Sequence, residues 1–112
     1  MKTNRSSLTL IALLVILLGL AACGPATSDL IVVNDSSADF CAVYLSGAEG
    51  VDIGGNLLGS EQIAAGNTYT IEGIEAGVYD ARFVPCDTAS FEENTYENLD
   101  LTTDIEYTLF DE

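Results

Sequence analysis

Eighteen carboxylates, three cysteines and no histidine set the chemistry open to this chain of 112 residues. Without histidine there is no Ser-His-Asp or Cys-His nucleophile, no common zinc site and no proton shuttle near neutral pH. Two carboxylates flanking a bond hydrolyse glycosides, but that chemistry needs a cleft to hold the sugar, which a small β-domain rarely has. Loop carboxylates can also gather around calcium. The acids do crowd toward the C-terminus, at Glu92, Glu93, Glu97, Asp100, Asp104, Glu106, Asp111 and Glu112. No D-x-D-x-D-G loop stands among them, and strand positions that face water carry charge for a plainer reason. The expectation is a chain that is not an enzyme, with no catalytic residue, no cofactor and no metal. A calcium- or carbohydrate-binding β-sandwich module is kept as the alternative, and general solubility or adaptation to salt as a third account of the acidity.

The thiol at Cys23 stands in a different setting. Lys2 and Arg5 precede an apolar run, uninterrupted from Leu10 to Leu18, and Ala21 and Ala22 lie directly before the cysteine. The run falls short of the roughly 20 apolar residues a spanning helix needs, so it reads as a secretory signal segment over residues 1–22. Leu20-Ala21-Ala22-Cys23 resembles a bacterial lipobox. That resemblance implies acylation of Cys23, removal of residues 1–22 and a mature chain that begins with a diacylglyceryl cysteine. More than one acyl chain makes attachment effectively permanent. The implied location is the extracytoplasmic side of the cell membrane or outer membrane, lipid-anchored. Gly24, where a retention signal would place Asp, implies by the same resemblance passage to the outer membrane of a two-membrane cell.

Loss of residues 1–22 would remove Lys2 and Arg5 and no acid, taking the net charge from -15 to -17 and leaving Arg82 as the only cation. Such a polyanion cannot neutralise phosphates, so nucleic acid is excluded as a partner. The expected partners are the membrane, through the anchor on Cys23, and an envelope protein. Cys41 and Cys86 are the thiols left over, and an exported chain matures where disulfides persist, so they are expected to pair. A redox or metal role is disfavoured because they lack Cys-x-x-Cys spacing and a histidine.

The elements that must position these groups show period two, in short β-rich runs separated by Gly, Asn and Asp. Strands are expected at 30–33, 40–45, 68–71, 78–84, 96–101 and 105–110, making an all-β, small antiparallel sandwich of about six to seven strands with one disulfide. The domain spans 30–112, after a tether at 23–29 that reaches at most about 20 Å from the lipid. Tyr79, Ala81 and Phe83 share one face of their run, and Ile105, Tyr107 and Leu109 one face of theirs; these are the candidate core. Pro85 ends the fourth run, and Glu75-Ala76-Gly77 joins two runs closely enough for a hairpin. The segment from Ser46 to Glu61 holds five glycines, at 47, 50, 54, 55 and 59. It is either a packed loop in which Leu57 and Leu58 cover one end of the sandwich, the favoured reading, or a working surface. Tyr96 and Tyr107 are expected to pack within or across strands and are given no binding role.

Val43-Tyr44-Leu45-Ser46, Gly55-Asn56-Leu57-Leu58-Gly59, Ile63 with Gly66, and Gly77-Val78-Tyr79-Asp80-Ala81-Arg82 together resemble a widespread group of small bacterial exported domains. Their pattern is a V-Y-x-S strand, a W-G-x-N-L-L-G loop, an I-x-x-G turn and a G-x-Y-D-x-R strand, matched here over roughly residues 30–86. The resemblance implies a β-sandwich and export. It implies no catalytic or binding residue, because the group has no established activity. The chain departs from the pattern at Gly54, where the group usually has tryptophan.

Overall fold

The structure, a computed structural model, describes residues 26–47, 50 and 52–111. The expected signal segment, Cys23, the beginning of the tether and Glu112 lie outside these residues. Seven strands are described: β1 Thr27–Asp35, β2 Phe40–Ser46, β3 Asp52–Ile53, β4 Thr68–Glu75, β5 Val78–Pro85, β6 Asn94–Asp100 and β7 Ile105–Phe110. They form two sheets, ordered β4-β1-β7 and β3-β2-β5-β6, packed face to face as the expected all-β sandwich.

The pleat explains which side chains meet between the sheets, since successive residues of a strand point to opposite faces. On β1, Ser28, Leu30, Val32 and Asn34 are buried; on β5, Tyr79, Ala81, Phe83 and Pro85 are, while Asp80 and Arg82 face out. Leu30, Val32, Val43, Leu45, Phe83 and Leu109 are wholly buried. The two layers touch where Phe83 of β5 stacks on Tyr107 of β7, with centroids 5.1 Å apart. Tyr96 of β6 meets the same ring edge-on at 5.1 Å. The expected inward sets on β5 and β7 are therefore the core.

Three features differ from the sequence reading. β1 starts at Thr27, inside the expected tether, and lies parallel to β7 while pairing antiparallel with β4. β3, only two residues long, pairs with the end of β2. The turn at Glu75-Ala76-Gly77 makes no hairpin, because β4 and β5 belong to different sheets. It is an arch from one layer to the other: Ala76 N–H donates to Ala26 and Gly77 N–H to Leu101. The inward faces of the joined strands, Ile74 and Tyr79, both belong to the core. The Tyr79 hydroxyl donates to the Glu75 carbonyl at 2.5 Å, closing the arch in the manner of the tyrosine corners of other sandwiches.

Cys41 and Cys86 are bonded, with Cα atoms 4.8 Å apart. Cys41 sits where the β2–β5 register shifts between Phe40 and Ala42, and Cys86 follows the last residue of β5. The bond clamps the ladder at its irregular end, beside a hydrogen bond from Cys86 N–H to the Asp39 carbonyl at 2.8 Å. Closing a loop whose ends are 45 positions apart is worth about 4 kcal/mol on the chain-entropy account. The C41A/C86A variant is accordingly expected to melt on the order of 20 °C lower than the oxidised protein. An unchanged melting curve would show that the bond adds nothing to the fold.

Candidate functional site

The glycine-rich segment is the first place to look for a site, and its described part over residues 52–61 is a packed cover. Asn56 lies along the edge of β2 that β3 leaves bare. Its Oδ1 accepts from the N–H groups of Val43, at 3.1 Å, and Leu58, at 3.0 Å. Its Nδ2 donates to the carbonyls of Cys41 and Gly59, at 3.1 and 3.2 Å, and Leu57 N–H reaches the Val43 carbonyl at 2.9 Å. One amide side chain thus replaces a missing strand, satisfying backbone groups that an open edge would leave unpaired. Leu58 is buried and Leu57 packs on the core. Gly54 has φ +71°, and a side chain there would also crowd Leu57 Cδ2, so this backbone does not suit the tryptophan of the resembling pattern.

The acids divide by type. Seven aspartates accept backbone N–H groups: Asp29 from Gly73, Asp39 from Ala65, Asp80 from Asn98, Asp87 from Ala89 and Ser90, Asp100 from Thr102, Asp104 from Asp29, and Asp111 from Ser37. Two of these bonds sit at bulges, where Gly73 and Asn98 take positive φ. The glutamates among the described residues are all exposed. No group of three or more Asp, Glu, Cys or His side chains suited to a metal occurs among the described residues. The described C-terminal acids, from Glu92 to Asp111, are therefore spread over loops and strand faces and form no metal-binding group.

Among the described residues, two concavities bear on function. The first, of about 320 Å³, crosses the outer face of the four-stranded sheet, with Tyr44, Arg82 and Thr95 in one row of the ladder and Ser46 and Asp80 in the next. Arg82, the single cation of the domain, lies 4.6 Å from the centre of the Tyr44 ring and covers that face. The second, of about 420 Å³, opens at the end of the sandwich where β1 and β7 finish and β6 begins. Phe40 and Phe91 line it together with Phe110, which is 61 % exposed, and Glu92, Glu93 and Asn94. Asp111 Oδ1 accepts from both the N–H and the hydroxyl of Ser37 at 2.9 Å, holding one wall in place.

The sequence reading missed this groove. Its signal was present: Ile105, Tyr107 and Leu109 fix the inward phase of β7, which puts Phe110 on the opposite face, and Phe91 stands in a run of polar residues. Of the aromatics left without a role, Tyr96 and Tyr107 pack on each other, and burial raises the Tyr107 phenol above its ordinary value, with Tyr96 adding to the effect. Compared with family models, with curated proteins and with solved structures, the chain matches none.

Two predictions follow from these bonds. In Asn56→Ala the Val43 N–H and Cys41 carbonyl lose their partner, and urea unfolding should show a loss of about 2–3 kcal/mol; a loss under about 0.5 kcal/mol would mean that water serves the edge equally well. The second concerns acid. Asp87 is held below 3.8 chiefly by its hydrogen bond with Ser90, and Asp100 by its bond with Thr102. A lowered folded-state value contributes stability above the unfolded value of 3.8 that is lost as pH falls through the folded one. The midpoint of urea unfolding should therefore fall below pH 3.8, and fall less in D87N/D100N. An equal fall in both would remove these two groups from the account.

Proposed function

We propose that this chain is a lipid-anchored bacterial envelope domain that acts by non-catalytic binding, held to the bilayer through Cys23 and presenting its opposite end to a partner. The supporting observation is the course of β1. It begins at Thr27, leaving three residues after Cys23, a reach of at most about 14 Å. It then extends nine residues, about 26 Å from first to last, and ends beside the groove that carries Phe110. An anchor at one end thus leaves the aromatic groove at the other.

The calcium alternative finds no support in the dispersed acids of the described residues. A carbohydrate platform on the sheet would rest on Tyr44 and Tyr96, and Arg82 covers the Tyr44 ring while Tyr96 packs edge-on against Tyr107. A polyanion with one cation suits neither nucleic acid nor an anionic lipid surface as a second contact. The proposed partner is an envelope protein.

The test is metabolic labelling with a fatty acid, followed by cross-linking in cells. The native chain should incorporate label and fractionate with membranes, whereas Cys23→Ser should remain an unlabelled precursor. Label retained in Cys23→Ser would rule out the anchor. Cross-linking of the lipidated protein should give one stoichiometric envelope protein, lost when the reactive probe is moved away from the groove.

A further inference from the structure

The groove at the far end of β1 has the chemistry of a docking site for one kind of segment. Its floor is aromatic and includes the most exposed large apolar side chain of the described residues, Phe110 at 61 %. Its rim is acidic, with Glu92 and Glu93 both exposed and neither engaged by a cation among the described residues. It lies at the ends of two edge strands, with Asn94 the first residue of β6, which pairs with β5 alone among the described strands, and Phe110 the last of β7, which pairs with β1 alone. An unpaired edge offers N–H and C=O groups to an added strand, while alternate side chains of that strand find separate environments. Asp111 and Ser37 fix one wall in advance, so little ordering is needed on binding.

Charge selects the occupant. A second copy of this chain would bring a net -17 against -17 after processing, with its one cation stacked on Tyr44 in another part of the fold. An acidic or phosphate-bearing ligand meets the same repulsion. We propose that the groove binds an extended basic segment of a partner protein, in which an apolar side chain seats against Phe110 and Phe91 and the flanking lysines or arginines lie beside Glu92 and Glu93. Its presentation away from the membrane rests on the anchor proposed above; its chemistry does not.

The experiment uses the full chain, produced in bacteria and placed in nanodiscs of zwitterionic lipid, with a fluorescent octapeptide of alternating lysine and leucine read by anisotropy. Peptides alternating glutamate with leucine, and lysine with serine, are the controls. Phe110→Ser and E92Q/E93Q should each weaken the lysine–leucine peptide at least about tenfold, while E72Q/E75Q, which removes the same charge from β4, should leave it within about twofold. The serine peptide should bind at least about tenfold less tightly than the leucine one. Equal weakening by E72Q/E75Q, or equal binding of the serine peptide, would reduce the effect to attraction by a polyanion and overturn the proposal. Binding retained in Cys23→Ser supports the groove whatever becomes of the anchor. A lipidated protein that does not bind overturns the groove and leaves the anchor standing.

Discussion

The fold depends on how the chain meets the cost of changing layers. β1 to β2, β3 to β4, β4 to β5 and β6 to β7 each pass from one sheet to the other, and every passage takes backbone groups out of a ladder. Unpaired and buried, such groups cost about as much as the hydrogen bonds they would have made. Asn34 answers this most completely. It ends the buried face of β1 with no exposure, and its Nδ2 donates to the carbonyls of Ala38, at 2.7 Å, and Ile63, at 3.0 Å. Its Oδ1 accepts from the N–H and hydroxyl of Ser36, and its own backbone bonds to Asn67 and Gly66. One side chain therefore fixes the first passage and the approach to β4 together.

The same device recurs with different residues. Asn56 completes the edge of β2, Asp29 and Asp80 each serve a bulge, Asp104 accepts from the N–H of Asp29 within β1, and Asp39, Asp87 and Asp100 serve turns. A short carboxylate reaches a neighbouring backbone N–H in a way that the longer glutamate, with more rotamer freedom to lose, does less readily. This accounts for the division of the acids. Seven aspartates, most of them solvent-exposed, cap backbone N–H groups, while among the glutamates Glu61 bonds to Tyr69, and a surface so negative arises without any cluster able to hold a metal among the described residues.

Much of this was legible in the sequence, and the parts that were not share a cause. Period two placed Tyr79, Ala81 and Phe83 in the core because the pleat leaves no other choice, and the two cysteines within the expected domain, Cys41 and Cys86, are the pair that is bonded. What strand periodicity does not encode is which strand lies beside which. Glu75-Ala76-Gly77 has the turn chemistry of a hairpin and of an arch alike; the difference lies in the pairing, since β4 lies beside β1 while β5 lies between β2 and β6. Asn56 reads as loop chemistry in isolation, and its role exists only because β3 is too short to cover β2. Phe110 was within reach of the reading, being one residue out of phase with the inward set of its own strand.

A sandwich without closure must also manage its outer edges, and here the two open sides differ. On one side β2 is covered by β3 and Asn56 while β4 pairs with β1 alone; on the other, β6 and β7 are both edge strands and face each other across Tyr96 and Tyr107. Glu97, Asp100, Asp104 and Glu106 flank these strands, and the bulge at Asn98 breaks the regularity of β6. Charge and irregularity are the ordinary means of keeping edges from pairing with copies of themselves. They act by repelling like from like, so the protection is selective: an edge closed to acidic strands by its own charge stays open to basic ones. On the proposal above, the charge that disfavours self-pairing at these edges is the same one that selects a basic partner.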